Sequence, residues 1–391
     1  MQRRTLTRRF CLTFLLSLMI CMLAQAQAFA ACPRGTSYVS AGDGCQNAQA
    51  SGSVRRANYF TGFVEGKTYP ARPPWNVAAV DYAIGYAGTL KDPAVSGNLP
   101  ACVSGSGNML TADADIQPCV IDHLDFSLHG GICFNVTGTK GQTVTFSNDK
   151  FASGGCTLYH GFIETQSGSK ANVVAKYNEF DDKYSCKCGG DFTVLGINNL
   201  TLQYNAFINV TGRVINTGNG SGGAINSSYN YVEGIGNGWE HGEIVEINTG
   251  NPVVYNEQWN NYYATNTNCC DTALLYIDSG PPNYSGPGVI TSSNASYNVL
   301  IARPNPHQRN SVSVAAPIWI QTAGGGGVTF GALTVNNNYI DASGSYWRIT
   351  VYPPDGTGAI HNGACAGNKS LTTGAAITGT LGSGTSTLVC Q

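Results

Sequence analysis

Through the middle of the chain, apolar and polar residues alternate in short runs, each closed by Gly, Asn or Asp. Asn199-Leu200-Thr201-Leu202-Gln203 is one such run, and Glu243-Ile244-Val245 is another. A period of two places successive side chains on opposite faces of a strand. No stretch holds the amphipathic-helix period of about 3.6 residues over three turns. The pattern therefore predicts an all-β chain built from short strands.

The runs recur together with an aromatic-Asn pair. Copies stand at Tyr177-Asn178, Tyr204-Asn205, Tyr229-Asn230, Tyr255-Asn256 and Tyr297-Asn298, with degenerate forms at Ser147-Asn148 and Asn337-Asn338. From Asn148 to Asn338 the intervals are 30, 27, 25, 26, 42 and 40 residues, a repeating unit of about 26 with later insertions. Two or three strands per unit are too many for a leucine-rich horseshoe. A propeller blade needs roughly 40 to 45 residues, so the unit is too short for one. The expectation is a parallel β-helix, in which coils stack at about 4.8 Å and identical side chains align in columns. Asn suits such a column because its amide both donates and accepts, and because it tolerates the left-handed conformation of a tight bend.

On the coil length and these Asn columns, residues 118–350 resemble the right-handed parallel β-helix superfamily typified by pectate lyases and related polysaccharide-active enzymes. The resemblance implies a carbohydrate-active protein, a monomer or trimer, with a polysaccharide as substrate or ligand. Residues 31–117 lack the repeat and carry the run Tyr69-Pro70-Ala71-Arg72-Pro73-Pro74-Trp75, so they are read as an N-terminal cap. The Gly/Thr-rich residues 351–391 are read as a C-terminal cap, because a stack of coils needs its open ends covered.

Composition narrows the picture. The 391 residues include 49 Gly and 35 Asn, and only 11% are charged against a usual share of about a quarter. With 42% hydrophobic residues and a formal charge of -2, the chain is not of the disordered class. Lys and Arg number 21 against 23 Asp and Glu, which leaves no basic excess for nucleic acid. Residues 1–30 read as a signal peptide: Arg3, Arg4, Arg8 and Arg9, an apolar run from Phe10 to Leu23, then Ala28-Phe29-Ala30. That run is too short to span a membrane. Export to the periplasm, cell surface or medium follows, and the mature chain keeps 12 of the 14 Cys with a charge of -6. An even number of cysteines in an exported chain reads as disulfides. Cys32/Cys45, Cys102/Cys119 and Cys365/Cys390 are near enough in sequence to be local staples.

In a chain so poor in charge, two concentrations stand out. One holds Lys176, Glu179, Asp181, Asp182, Lys183, Lys187 and Asp191; the other holds Glu233, Glu240, His241, Glu243 and Glu246. Aligned on the Asn column, Asp191, Arg213, His241, Glu243 and Asp271 fall at similar places on successive coils, a stripe suited to an extended polysaccharide. Glycoside hydrolysis needs two carboxylates, about 5 Å apart for retention or about 6.5 to 9.5 Å for inversion. Asp191 with Glu243, or Asp181/Asp182 with Glu240, supplies such a pair. Uronate β-elimination needs a base and a cation, as the resemblance implies: Lys183, Arg213 or His241 as base, with Ca²⁺ on Asp181, Asp182 and Asp191.

The expected catalytic set is Asp191, Arg213, His241 and Glu243. Lys183, Glu240 and Asp271 are expected to bind substrate, and Asp181 and Asp182 to hold the metal of a lyase. Polygalacturonase-like members carry a motif series on successive coils that this chain does not reproduce: Asp181-Asp182 and Glu240-His241-Gly242 lie about 60 residues apart. Trp239, Trp259 and Trp319 are candidates for stacking on sugar rings. Against these stand plainer roles: a solvated turn at Asp181-Asp182-Lys183, a ladder position for His241, an inter-coil ion pair for Arg213. The competing functional class is a non-catalytic polysaccharide-binding or adhesin-type protein.

Overall fold

The computed structural model describes residues 82–152 and 358–391 without a break. Between them it describes 161–165, 168–181, 192–194, 199–208, 214–217, 223–233, 245–247, 253–264, 271–277, 288–302, 314–322, 327–345 and 347–352, and before them the strands 37–38, 45–46 and 55–57. The chain divides into two compact units, Met1–Ser53 and Val54–Gln391. In the first, Ser37–Tyr38 pairs antiparallel with Cys45–Gln46.

In the second unit, the described strands form three large sheets of ten, thirteen and eight members, almost wholly parallel. The chain visits them in fixed rotation. Phe192–Val194 lies in the first sheet, Asn199–Gln203 in the second and Ala206–Ile208 in the third; Ile215–Thr217, Ala224–Ser228 and Tyr231–Glu233 then repeat the circuit. Each strand pairs with its counterpart one circuit away, as Asn199 with Ala224 and Phe207 with Val232. Parallel pairing of this kind runs from Met109–Asp113 to Lys369–Ser370.

The alternation read from the sequence decides which face is inside. In Asn172–Lys176, Val173 and Ala175 are buried while Asn172, Val174 and Lys176 are partly exposed. Their partners Leu200 and Leu202 are buried in turn. Phe126, Phe151, Phe180 and Phe207 form an inner column with successive ring centroids 4.9, 4.8 and 4.8 Å apart. Each such buried ring contributes about 2–3 kcal/mol. The third sheet also buries its other face, where Ile84 joins Ala206, Tyr231, Val299 and Tyr339.

The ends of the stack are closed by antiparallel hairpins, Val103–Ser106 with Met109–Asp113 and Gly379–Leu381 with Leu388–Cys390. Hairpins turn the exposed edges of a parallel sheet away from further pairing. Cys102–Cys119 and Cys365–Cys390 are disulfides spanning 17 and 25 residues, one beside each hairpin. Loops of that size correspond to stabilisation of about 3 kcal/mol each. Both pairings match the sequence expectation; Cys32 and Cys45 fall outside the described residues, apart from the Cys45 backbone. No described helix is long and apolar enough to cross a membrane.

Between the second and third sheets, every circuit makes the same two-residue bend, and here the expected column needs correction. The bonded ladder runs Asp149, Asn178, Asn205, Asn230, Asn260, Asn298, Asn338 and Asn368, at steps of 29, 27, 25, 30, 38, 40 and 30 residues. Trp259-Asn260, four residues beyond the expected pair, is the rung on its circuit. Tyr255 instead lies in a strand, buried between Ile225 and Ser293, and Asn256 donates sideways to Asn226 at 2.8 Å. Asp149 takes the place expected of Asn148.

Each Asn does the same work. Asn205 Oδ1 accepts from Asn178 N–H at 3.0 Å, and Asn205 Nδ2 donates to the Ala175 carbonyl at 2.9 Å and to Asn230 Oδ1 at 3.0 Å. The left-handed residue is the one before the rung: Tyr177, Tyr204 and Tyr229 have φ 59°, and Trp259 and Tyr297 have φ 62°. A side chain there costs about 1–2 kcal/mol. The ladder bonds on one side and ring stacking on the other offset it. The rings of Tyr177, Tyr204, Tyr229, Trp259 and Tyr297 lie nearly parallel, with centroids 4.9, 5.0, 6.4 and 4.4 Å apart.

Candidate functional site

Strand register in the first sheet brings nine residues into one row: Thr111, Asn135, Glu164, Thr193, Asn216, Glu246, Tyr276, Trp319 and Thr350 are successive Cα partners. The residues on either side of the row are buried where described, among them Ile163 and Thr165, Leu275 and Ile277, Ile318 and Ile320, and Ile349 and Val351. Alternation therefore turns the row outward where its side chains are described. Thr111, Asn135, Glu164, Tyr276, Trp319 and Thr350 are accordingly partly exposed. Eight steps of about 4.8 Å give the row a length of roughly 38 Å.

The row is polar along most of its length and aromatic toward the C-terminal circuits. Trp319 lies 6.3 Å from Tyr276, 5.0 Å from Tyr352 and 6.0 Å from Trp347 between ring centroids. Its indole N–H donates to Gln321 Oε1 at 2.9 Å, which fixes the ring on this face. Trp347 is 49% exposed and Tyr352 46%. The rings meet at 41°, 51° and 78°, so no ring in the cluster is sandwiched face to face by its neighbours.

That geometry separates this cluster from the aromatic column at the bends. In the column, Trp259 stacks between Tyr229 and Tyr297 at interplanar angles of 11° and 5°, so both faces of its ring are covered. Sugar stacking needs an accessible ring face. Trp259 is thus a structural ring, Trp319 belongs to an outward cluster, and Trp239 lies outside the described residues.

Most of the expected site falls outside the described residues: Asp182, Lys183, Asp191, Arg213, Glu240, His241 and Glu243. Of the others, Asp181 closes the strand Glu179–Asp181 of the third sheet, paired with Ala152 and Ile208. Asp271 opens Asp271–Ile277 of the first sheet, paired with Val314. These two stand on different sheets. In sequence, Asp191, Arg213 and Glu243 stand one, two and two residues before the registered residues Phe192, Ile215 and Val245, and His241 stands four before Val245. The chain segments carrying the expected catalytic set thus lead directly into first-sheet strands.

Among the described residues, no group of three or more His, Cys, Asp or Glu is arranged to hold a metal ion. Among the described residues, two histidines each face a carboxylate. His123 Nδ1 lies 2.6 Å from Asp122, which also accepts from Ser147 Oγ and Asn148 Nδ2; His129 Nε2 lies 2.9 Å from Asp92. Partial burial of Asp122 opposes its ionisation, but those hydrogen bonds hold its carboxyl below the ordinary range.

Among the buried acids, Glu257 and Asp149 are of another kind. Glu257 is fully buried, accepts from Asn260 Nδ2 at 2.6 Å and from the Tyr262 hydroxyl, and is pushed up to about 8, chiefly by burial. Asp149 is fully buried as well and its carboxyl is raised, again chiefly by burial. Neither faces the outer row.

Sequence reading found Trp319 and the charged run ending at Glu246 but not the row they share. The available signal was aromatic or acidic residues set singly between aliphatic ones, as in Ile318-Trp319-Ile320 and Val245-Glu246-Ile247. No family model, curated protein or solved structure matches this chain.

Proposed function

We propose that this chain is an exported, disulfide-stabilised right-handed parallel β-helix that holds a polysaccharide along the outer row of its first sheet and cleaves it. The rotation through three parallel sheets supports the β-helix reading, and the preference of parallel crossovers for one hand supports the right-handed one. Disulfides beside both end hairpins accord with an oxidising compartment.

The observation that carries the functional reading is the outer row itself. It is about 38 Å long by strand spacing, polar along most of its length, and passes through a cluster of non-parallel aromatic rings on its C-terminal circuits. An extended sugar chain needs repeated polar contacts and, at some subsites, an apolar surface for the ring face. In this proposal the catalytic groups are Asp191, Arg213, His241 and Glu243, on the segments that enter the same sheet. Lys183, Glu240 and Asp271 contact the chain beside them. If the reaction is β-elimination, Ca²⁺ on Asp181 and Asp182 neutralises the uronate; if it is hydrolysis, the carboxylates act as acid and partner.

The aromatic cluster favours a second reading, a protein that binds polysaccharide without cutting it, because exposed, non-parallel rings serve binding by themselves. Incubation with acidic and neutral polysaccharides separates the two. Product formation abolished by alanine at Asp191 or Glu243 supports the enzyme. Retention on a polysaccharide gel without product, lost in Trp319→Ala, supports the binder. No retention and no product across the panel sinks both.

A further inference from the structure

The ladder at the bends has one rung that is not an amide. In the seven Asn rungs, Oδ1 accepts the main-chain N–H of the preceding rung. Their Nδ2 groups donate to the carbonyl three residues before that preceding rung: Asn178 to Phe146, Asn205 to Ala175, Asn230 to Leu202, Asn260 to Ser227, Asn298 to Glu257, Asn338 to Ala295 and Asn368 to Val335. In five of the seven, Asn178, Asn205, Asn230, Asn298 and Asn338, the same amide also points at the next Oδ1, as Asn178 Nδ2 does toward Asn205 at 3.1 Å.

Asp149 occupies this frame with its first oxygen in role: Oδ1 accepts Leu124 N–H at 2.9 Å, and Asp149 N–H donates to Asn178 Oδ1 at 2.9 Å. Its second oxygen stands in the donor slot and has no hydrogen-bond partner. By the count the other rungs obey, that slot looks onto two acceptors, the Ile121 carbonyl and Asn178 Oδ1. A carboxylate oxygen in that slot has no donor at hydrogen-bond distance, inside a core where an unpartnered charge is most costly.

We propose that Asp149 is protonated in the folded protein and donates its Oδ2–H to the Ile121 carbonyl, so that the first circuit is docked on the stack by a proton where every later circuit uses an amide. The surrounding charges do not supply an alternative. Asp122, the nearest acid, is engaged by Ser147, Asn148 and His123. Asp125 Oδ1 accepts from Ser127 N–H, and Lys150 Nζ lies 3.9 Å from Glu179 Oε1. Burial of Asp149, the largest influence, and the like charge of Asp122 favour the protonated form, against the backbone N–H groups of Leu124 and Ser147.

The sign follows. A carboxyl whose folded pKa is raised contributes stability that is complete below the ordinary carboxylate range and is lost as pH rises through the folded value. Asp149→Asn supplies the missing amide and carries no proton to lose. Its denaturation midpoint is expected to exceed that of the parent by a margin that widens from about pH 5 to about pH 9. The infrared carbonyl stretch of a protonated acid is expected in the parent at neutral pH and to diminish in the variant. Asp149→Ala, which empties the slot, is expected to be less stable than the parent at acidic pH. A margin that does not change with pH, an infrared band identical in parent and variant, or failure of the Asn variant to fold on a ladder already built from Asn would each overturn the proposal.

Discussion

Glu257 shows what a single buried residue imposes on the stack. It lies two positions along the inner face from Tyr255, and Tyr255, Tyr262, Ser227 and Asn260 surround its carboxyl in the interior. Burial raises both the Tyr255 phenol and the Glu257 carboxyl, the latter to about 8, so Glu257 is protonated at neutral pH. Its stabilising share is complete below the ordinary carboxylate range and falls away as pH rises toward 8 and through it. The loss is at most about 1.4 kcal/mol per pH unit for one proton. Glu257→Gln is therefore expected to flatten the pH dependence of denaturation between about pH 5 and about pH 8. Unchanged pH dependence in that variant would mean the acid is already ionised inside the fold.

At the scale of the element, the bend is the repeated device, and its energetics are concentrated in the rungs. Removing Asn205 leaves Asn178 N–H and the Ala175 carbonyl without their partners in a buried place. Asn205→Ala is expected to cost about 2–4 kcal/mol, measured by chemical denaturation. Asn256→Ala, which touches only the outer Asn226 pair, is expected to cost under about 1 kcal/mol. Equal costs would place the rung of that circuit at Asn256 instead of Asn260.

The pattern of alternation and the aromatic-Asn pairs made the strands, the parallel stack and most rungs legible. They could not choose between Tyr255-Asn256 and Trp259-Asn260, because both pairs have the right residues and a step of 26 looks more regular than the true step of 30. The choice is made in three dimensions, where Tyr255 fills an inner position and Trp259 completes the ring stack. The left-handed position lies one residue before the rung: it is aromatic in five circuits and Asn at 148 and 337, as the tolerance of Asn for such a bend suggested, and the rung side chain is left free for the ladder.

On the outer face, Tyr276, Trp347 and Tyr352 drew no notice in the sequence because their meeting with Trp319 depends on pairings between strands 31 and 43 residues apart. Trp319→Ala removes the ring that contacts all three neighbours. It is expected to weaken polysaccharide retention roughly tenfold while leaving the denaturation midpoint nearly unchanged. Trp259→Ala is expected to do the reverse, since its ring is covered on both faces by the column.

At the scale of the whole molecule, a set of parallel sheets flanked by hairpins and disulfides carries an outer row that is polar along most of its length and aromatic at Tyr276 and Trp319. The central claim is that this row engages a polysaccharide and that the segments entering the same sheet cut it. The most direct measurement follows the protein with a panel of acidic and neutral polysaccharides, with and without a chelator, reading the ultraviolet absorbance of unsaturated uronate and the appearance of reducing ends. The account predicts products from at least one substrate: absorbance lost on chelation for a lyase using Asp181 and Asp182, or reducing ends alone for a hydrolase using the Asp191 and Glu243 carboxylates. No product from any polysaccharide, with retention on the polymer intact, would contradict cleavage and leave a binding protein.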